Sequence, residues 1–214
     1  MFGDVIVTLP AAAAILLCLM TARAWRLAIW WSVLFAGGMV VVVLTKLAFI
    51  GWGIGFESLD FTGISGHAMR AGAVLPVIGY LLMQRADRIG QLSGTLLGMA
   101  LALMIALSRV IVHAHSVSEA VSGAVFGLVL GLMFLQRARL MARPAINLWL
   151  VAIAMTGLFV ASTGEPAPTQ QMLVRVALAL SGHACPFTRA NWAIPNRHGC
   201  VHARNDPKQI VISR

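Results

Sequence analysis

Three short stretches of this 214-residue chain hold residue types that could act together: Lys46, then Ser65-Gly66-His67, then Ser108-Arg109 followed by His113, His115 and Glu119. Lys46 and Arg109 are fixed cations, and a guanidinium offers a planar fork of donors matched to phosphate or carboxylate oxygens. Ser65 and Gly66 stand just ahead of a run that reads as a helix. Free N–H groups at a helix start, at the positive end of its dipole, favour an anion. His115 and Glu119 are four residues apart, which on a helix places them on one face. The carboxylate can then accept a hydrogen bond from one imidazole nitrogen while the other points at the anion, and a histidine oriented in this way is an activated nucleophile or base. The set describes an oxyanion site beside an activated histidine.

The elements that must position these groups are membrane helices. Of the residues, 59% are hydrophobic and only 11% charged, with a mean hydropathy of +0.86. That balance excludes an ordinary soluble domain. Five or six apolar runs, placed at 5–20, 27–45, 67–83, 92–112, 117–135 and 146–161, are long enough to cross about 30 Å of hydrocarbon when tilt and thinning are allowed. The expected fold class is all-α, a polytopic bundle over residues 1–162 carrying the site, followed by a basic, partly apolar tail over 163–214. The first run reads as a mature helix rather than a signal peptide, because Asp4 precedes it and no Lys or Arg does.

Arg23 and Arg26 follow the first run, Arg85 and Arg88 the third, and Arg137, Arg139 and Arg143 the fifth. Short cytoplasmic loops retain such residues, so these three loops read as cytoplasmic. The segments 46–66 and 113–116 then lie outside, and a bacterial inner membrane with the site facing the periplasm is the expected setting. The tail argues the other way: Arg175, Arg189, Arg197, Arg204, Lys208 and Arg214 account for much of the net charge of +9. Its length approaches that at which the charge rule loses force. Its charges are spread out without an aromatic-interleaved motif, which favours a solvated or headgroup-facing tail over nucleic-acid binding. Cys185 and Cys200 share the tail, where an oxidising compartment would allow them to pair, and Cys18 reads as an apolar packer. No zinc or CxxC spacing occurs.

Two ridges of small residues, Gly94, Gly98, Ala102 and Ala106 in the fourth run and Gly123, Gly127 and Gly131 in the fifth, predict close helix approach. Ionisable groups at membrane depth are costly and mark a site. Lys46, His67, Arg109, His113, His115 and Glu119 all map to one leaflet, which suggests one shared pocket.

Ser108-Arg109, five residues, His115, three residues, Glu119 resembles the third signature of the type-2 phosphatidic acid phosphatase superfamily, the lipid phosphate phosphatases, written SR-x5-H-x3-D. Ser65-Gly66-His67 resembles the core of its second signature, PSGH, and Lys46 the lysine that opens its first, K-x6-RP. The order along the chain is the family's, and the pieces span residues 46–119. Four positions depart from it: Gly53 and Ile54 stand in place of Arg-Pro, Ile64 in place of the proline before Ser65, and Glu119 in place of the aspartate. Ser181-Gly182-His183 repeats the tripeptide in the tail, but out of the family's order.

The resemblance implies two-step phosphoryl transfer without metal or cofactor on a membrane lipid phosphate. His115 would attack phosphorus, His67 would protonate the leaving oxygen and later activate water, and Glu119 would hold His115 in its reactive tautomer. Lys46, Ser65, Gly66, Ser108 and Arg109 would bind the phosphate. His113 reads as a spectator. Two other readings stay open: a haem between His67 and His115 as axial ligands, and a member that kept the fold but lost activity. The sequence names neither the lipid nor the oligomeric state.

Overall fold

A computed structural model describes residues 5–141 and 169–192. The protein is an all-α bundle: α1 (Val5–Thr21), α2 (Trp25–Trp52), α3 (Gly66–Leu82), α4 (Arg88–Ile111), α5 (Val117–Leu140) and α6 (Thr169–Ser181). Of these, α2, α4 and α5 are long and apolar enough to cross a membrane. It is a membrane protein, and the outward face of α4 is apolar from Leu92 through Leu96, Leu103 and Leu107, as contact with lipid requires. The expected run at 146–161 lies outside the described residues.

The chain forms two compact units, one of residues up to 42 with 64–141, the other of residues 43–63 with 169–192. In the first, α3 is central. Small residues on both neighbours meet its backbone: a Cβ on Gly98 would overlap the Leu75 carbonyl and one on Gly127 the Met69 carbonyl, while at Gly131 it would come to 2.9 Å from the Ala73 oxygen. The two ridges therefore dock on α3 from different sides rather than mainly on each other. On the far side, Trp31 of α2 donates its indole N–H to the Ala12 carbonyl of α1 at 3.0 Å and lies edge-on to Phe134 of α5 at 5.1 Å. These residues belong to a core that also holds Leu19, Leu27, Val74, Val77 and Leu135.

Helix ends follow local chemistry. Asp87 caps α4, accepting the Gly90 N–H at 2.9 Å, which starts that helix at Arg88, ahead of its apolar run. Helix α2 continues through the apolar Leu47–Trp52 stretch and stops at Gly53, whose φ of 69° suits glycine. Lys46 is thus inside α2, not at its outer end as the apolar run suggests.

The second unit is built from the end of α2, the loop after it and α6. Leu47, Phe49, Ile50 and Ala177 form its core with Leu173, Val174 and Trp192 packed against them. The Phe187 N–H donates to the Ile50 carbonyl at 2.9 Å, and Arg189 Nε meets Asp60 Oδ1 at 2.8 Å. Cys185 is disulfide-bonded, whereas Cys18 in α1 is a free, buried thiol. Part of the basic tail therefore folds onto the loop between α2 and α3.

Candidate active site

The site grows from three helix ends of the first unit. Ser65 is the N-cap of α3, fully buried, with its hydroxyl accepting the Ala68 N–H at 3.4 Å. The first-turn amides of any helix lack an intrahelical acceptor, and Ser65 supplies one of the acceptors this end of α3 needs. On the neighbouring turn, the N–H groups of Ala114 and His115 donate to the Arg109 carbonyl at 3.0 and 3.3 Å, and His113 takes a left-handed φ of 53°. The five residues between Arg109 and His115 are what the chain needs to leave α4 and fold back on its last turn. That return sets His115 beside the helix that carries Arg109.

Ser116 then caps α5, accepting the Glu119 N–H at 3.3 Å. His115 precedes the helix, so its contact with Glu119 runs across the N-terminus rather than along one helix face as the spacing suggests. The contact is made: His115 Nδ1 lies 2.9 Å from Glu119 Oε2, with the carboxylate side chain only 3% exposed and the imidazole 14%. An ionised carboxylate only accepts, so this contact selects the tautomer with the proton on Nδ1, and in the neutral ring Nε2 then holds the lone pair. The additional methylene of Glu119 relative to aspartate is accommodated without loss of this bond.

Helix α5 is held against the start of α3. The Ser65 N–H donates to the Glu119 carbonyl at 3.1 Å, and a Cβ on Gly123 would come 2.5 Å from the Ser65 carbonyl oxygen. Only glycine lets the two backbones approach this closely. The approach brings the His67 and His115 rings to 6.1 Å between centroids, at 52° to each other. Arg109 adds a half-buried guanidinium whose Nε is buried and has no hydrogen-bond partner among the described residues. Ser108 is exposed, and its hydroxyl donates to the Ile105 carbonyl at 2.7 Å. His113 is exposed on the turn.

Five of the expected residues, Ser65, Gly66, His67, His115 and Glu119, thus meet where α3 and α5 begin, with Arg109 on the turn of α4 that carries His115. Lys46 belongs to the second unit, half-buried, with its backbone N and Cγ 3.2 Å from where a Cβ on Gly63 would lie.

Residues 51–143 match the model of the PAP2 superfamily. Over 195 residues the chain is 36% identical to a Klebsiella pneumoniae protein described as an "uncharacterized 22.5 kDa protein in cps region", the alignment covering 89% of this chain and 93% of the relative. The chain belongs to the PAP2 superfamily. No solved structure matches it.

One departure of this PAP2 superfamily member has a structural reason. At Gly53 a side chain would be strained by the positive φ and would start 2.9 Å from the Phe187 ring, so arginine does not fit where the family pattern places one. The second Ser-Gly-His tripeptide sits at the opposite kind of helix end. Ser181 closes α6, Gly182 has a φ of 71°, and His183 Nδ1 is 2.8 Å from the Gly51 carbonyl. A helix C-terminus presents carbonyls, which repel an anion.

Arg70 is a cation that the spacing of the motifs does not single out. It is 4% exposed, one turn into α3, and its Nε donates to Thr8 Oγ1 of α1 at 2.9 Å. Its Nη1 lies 3.4 Å from where a Cβ on Gly66 would sit, so that glycine leaves room for the guanidinium. An arginine inside an apolar run is itself a signal that the position is special.

Proposed function

We propose that this protein hydrolyses the phosphate monoester or diphosphate of a membrane lipid through a phosphohistidine on His115. The observation that carries the reading is the His115–Glu119 pair facing His67 across the junction of α3 and α5. His115 Nε2 attacks phosphorus while the bond to the leaving oxygen breaks, and His67, protonated, gives that oxygen its proton. His67 then takes a proton from water, the water oxygen attacks the phosphohistidine, and inorganic phosphate leaves with His115 restored. Glu119 stabilises the imidazolium character that His115 acquires on attack. The start of α3 at Ser65 and Gly66, together with Arg109 and Ser108, stabilises the equatorial oxygens, the electrostatic task that dominates such transfers.

No group of three His, Cys, Asp or Glu side chains converges among the described residues, so the donor set suits an anion better than a hard divalent cation. Phosphate release from a panel of lipid phosphates should accordingly persist in EDTA. Release that stops with chelator and returns with magnesium contradicts the mechanism, and a folded protein that releases none from any lipid phosphate is a member that kept the fold alone.

We also place the site on the periplasmic face. The tail and the loop after α2 share one unit that includes a disulfide-bonded Cys185, and disulfides persist in oxidising compartments. The basic charge of the tail therefore does not oppose the arginines of the short loops. On intact cells, Ser58→Cys should react with a membrane-impermeant maleimide above the unmutated background, and Arg85→Cys should not. The reverse pattern would turn the pocket to the cytoplasm.

A further inference from the structure

At the other end of the first unit, away from His115, a cavity of about 390 Å³ opens between the end of α3, the start of α4 and the end of α5, lined by Tyr80, Arg88, Ile89, Gln91, Leu92 and Arg139. Its polar character is cationic. The Arg139 guanidinium lies 5.7 Å from the centre of the buried Tyr80 ring, and neither Arg88 nor Arg139 meets a carboxylate among the described residues. Asp87, the neighbouring acid, is engaged as the cap of α4. Gln91 is buried, and its amide nitrogen donates to the carbonyls of Gln84 and Ala86 at 3.2 and 3.1 Å, which fixes the turn beneath the cavity. The donors left for a ligand are the two guanidiniums.

The wall then turns apolar. Ile89, Leu92 and Leu96 follow one another along one face of α4, 73%, 51% and 53% exposed. Residues three and four apart on a helix form such a continuous strip. Cations at the mouth and a greasy strip running away from it match an amphiphile whose headgroup is anionic. The same end carries Arg137 stacked 5.9 Å from the Trp30 ring, an aromatic–arginine pairing typical of the membrane–water boundary.

We propose that this cavity is a binding site for the headgroup of an anionic phospholipid in the leaflet opposite the His115 end, with Arg88 and Arg139 on the phosphate and an acyl chain along Ile89, Leu92 and Leu96. It stands apart from the hydrolytic reading and requires no turnover.

The test uses full-length protein in nanodiscs with varied fractions of phosphatidylglycerol in phosphatidylcholine, followed by native mass spectrometry of the lipid retained. Wild type should retain phosphatidylglycerol in preference to phosphatidylcholine. Arg88→Gln/Arg139→Gln should weaken that retention about thirtyfold, the order expected for two interfacial arginines, while Arg88→Lys/Arg139→Lys keeps most of it. Arg23→Gln/Arg26→Gln, which removes two exposed charges outside the cavity, should leave it unchanged. The unfolding midpoint in pure phosphatidylcholine monitors folding of each variant, and the lysine pair keeps the test decisive if the glutamine pair unfolds. Equal retention of both lipids by wild type overturns the proposal, as does an equal loss in the Arg23/Arg26 variant. Displacement of the lipid by inorganic phosphate at equal concentration would make this a site for a free ion and would also overturn it.

Discussion

His115→Ala should abolish turnover, with kcat/KM on the best lipid phosphate falling by at least about 10⁴-fold, equivalent to about 5.5 kcal/mol of transition-state stabilisation. The magnitude follows from the role, because without a nucleophile the phosphoenzyme route closes and only the electrostatics of the site remain. The substitution is mild structurally. His115 lies on a turn ahead of α5, its backbone N–H bonds the Arg109 carbonyl whatever the side chain, and the Ser116 cap of α5 is untouched. Glu119 loses its imidazole partner, so the unfolding midpoint should be measured alongside activity. A folded variant within about tenfold of wild type, about 1.4 kcal/mol, would remove His115 from the nucleophilic role.

The second large effect is expected at Arg109. Arg109→Lys keeps the charge but replaces a planar fork with a point donor on a flexible stem. The buried Nε of Arg109, without a partner in the described structure, has no counterpart in lysine. A loss in kcat of about 10²-fold is expected, in the range for removal of one preorganised donor from a developing charge. The variant should fold, since the bonds that tie the turn to α4 use the Arg109 carbonyl rather than its side chain. Wild-type kcat in a folded Arg109→Lys protein would mean that the guanidinium does not touch the transferred phosphoryl group.

Both expectations rest on a junction whose parts differ in how far the sequence exposes them. Five of the six apolar runs correspond to helices α1 to α5, because membrane burial leaves a signal in composition alone. Helix ends are set by finer chemistry. Asp87 as a cap moves the start of α4 back to Arg88, and glycine at position 53 stops α2 beyond the apolar run, which leaves Lys46 within a helix. The glycine ridges announce close packing but not the partner. Both dock on α3, whose own Gly72 and Gly79 meet α5 and α4 backbone in return. Helix α6 escapes a membrane-length criterion because its 13 residues are too few to span and its apolar side packs on the end of α2.

The candidate grouping is legible for a simple reason: its spacings are short. From Arg109 to His115 to Glu119 the chain makes one turn and one helix start, so sequence distance nearly fixes spatial distance. The approach of His67 to His115 is a long-range consequence of Gly123, and no local spacing encodes it. Arg70 sits between these cases, visible as a charge in an apolar run, with its bond to Thr8 of α1 shown by the fold rather than by the sequence.

The central claim, a covalent phosphohistidine, is tested most directly by rapid acid-free quenching of wild-type protein mixed with a lipid phosphate labelled at phosphorus, followed by peptide mapping. The account predicts label on the peptide containing His115, stable to base, lost in acid and absent from His115→Ala. Phosphate released at the wild-type rate with no label on the protein, or with label on another residue, would contradict it.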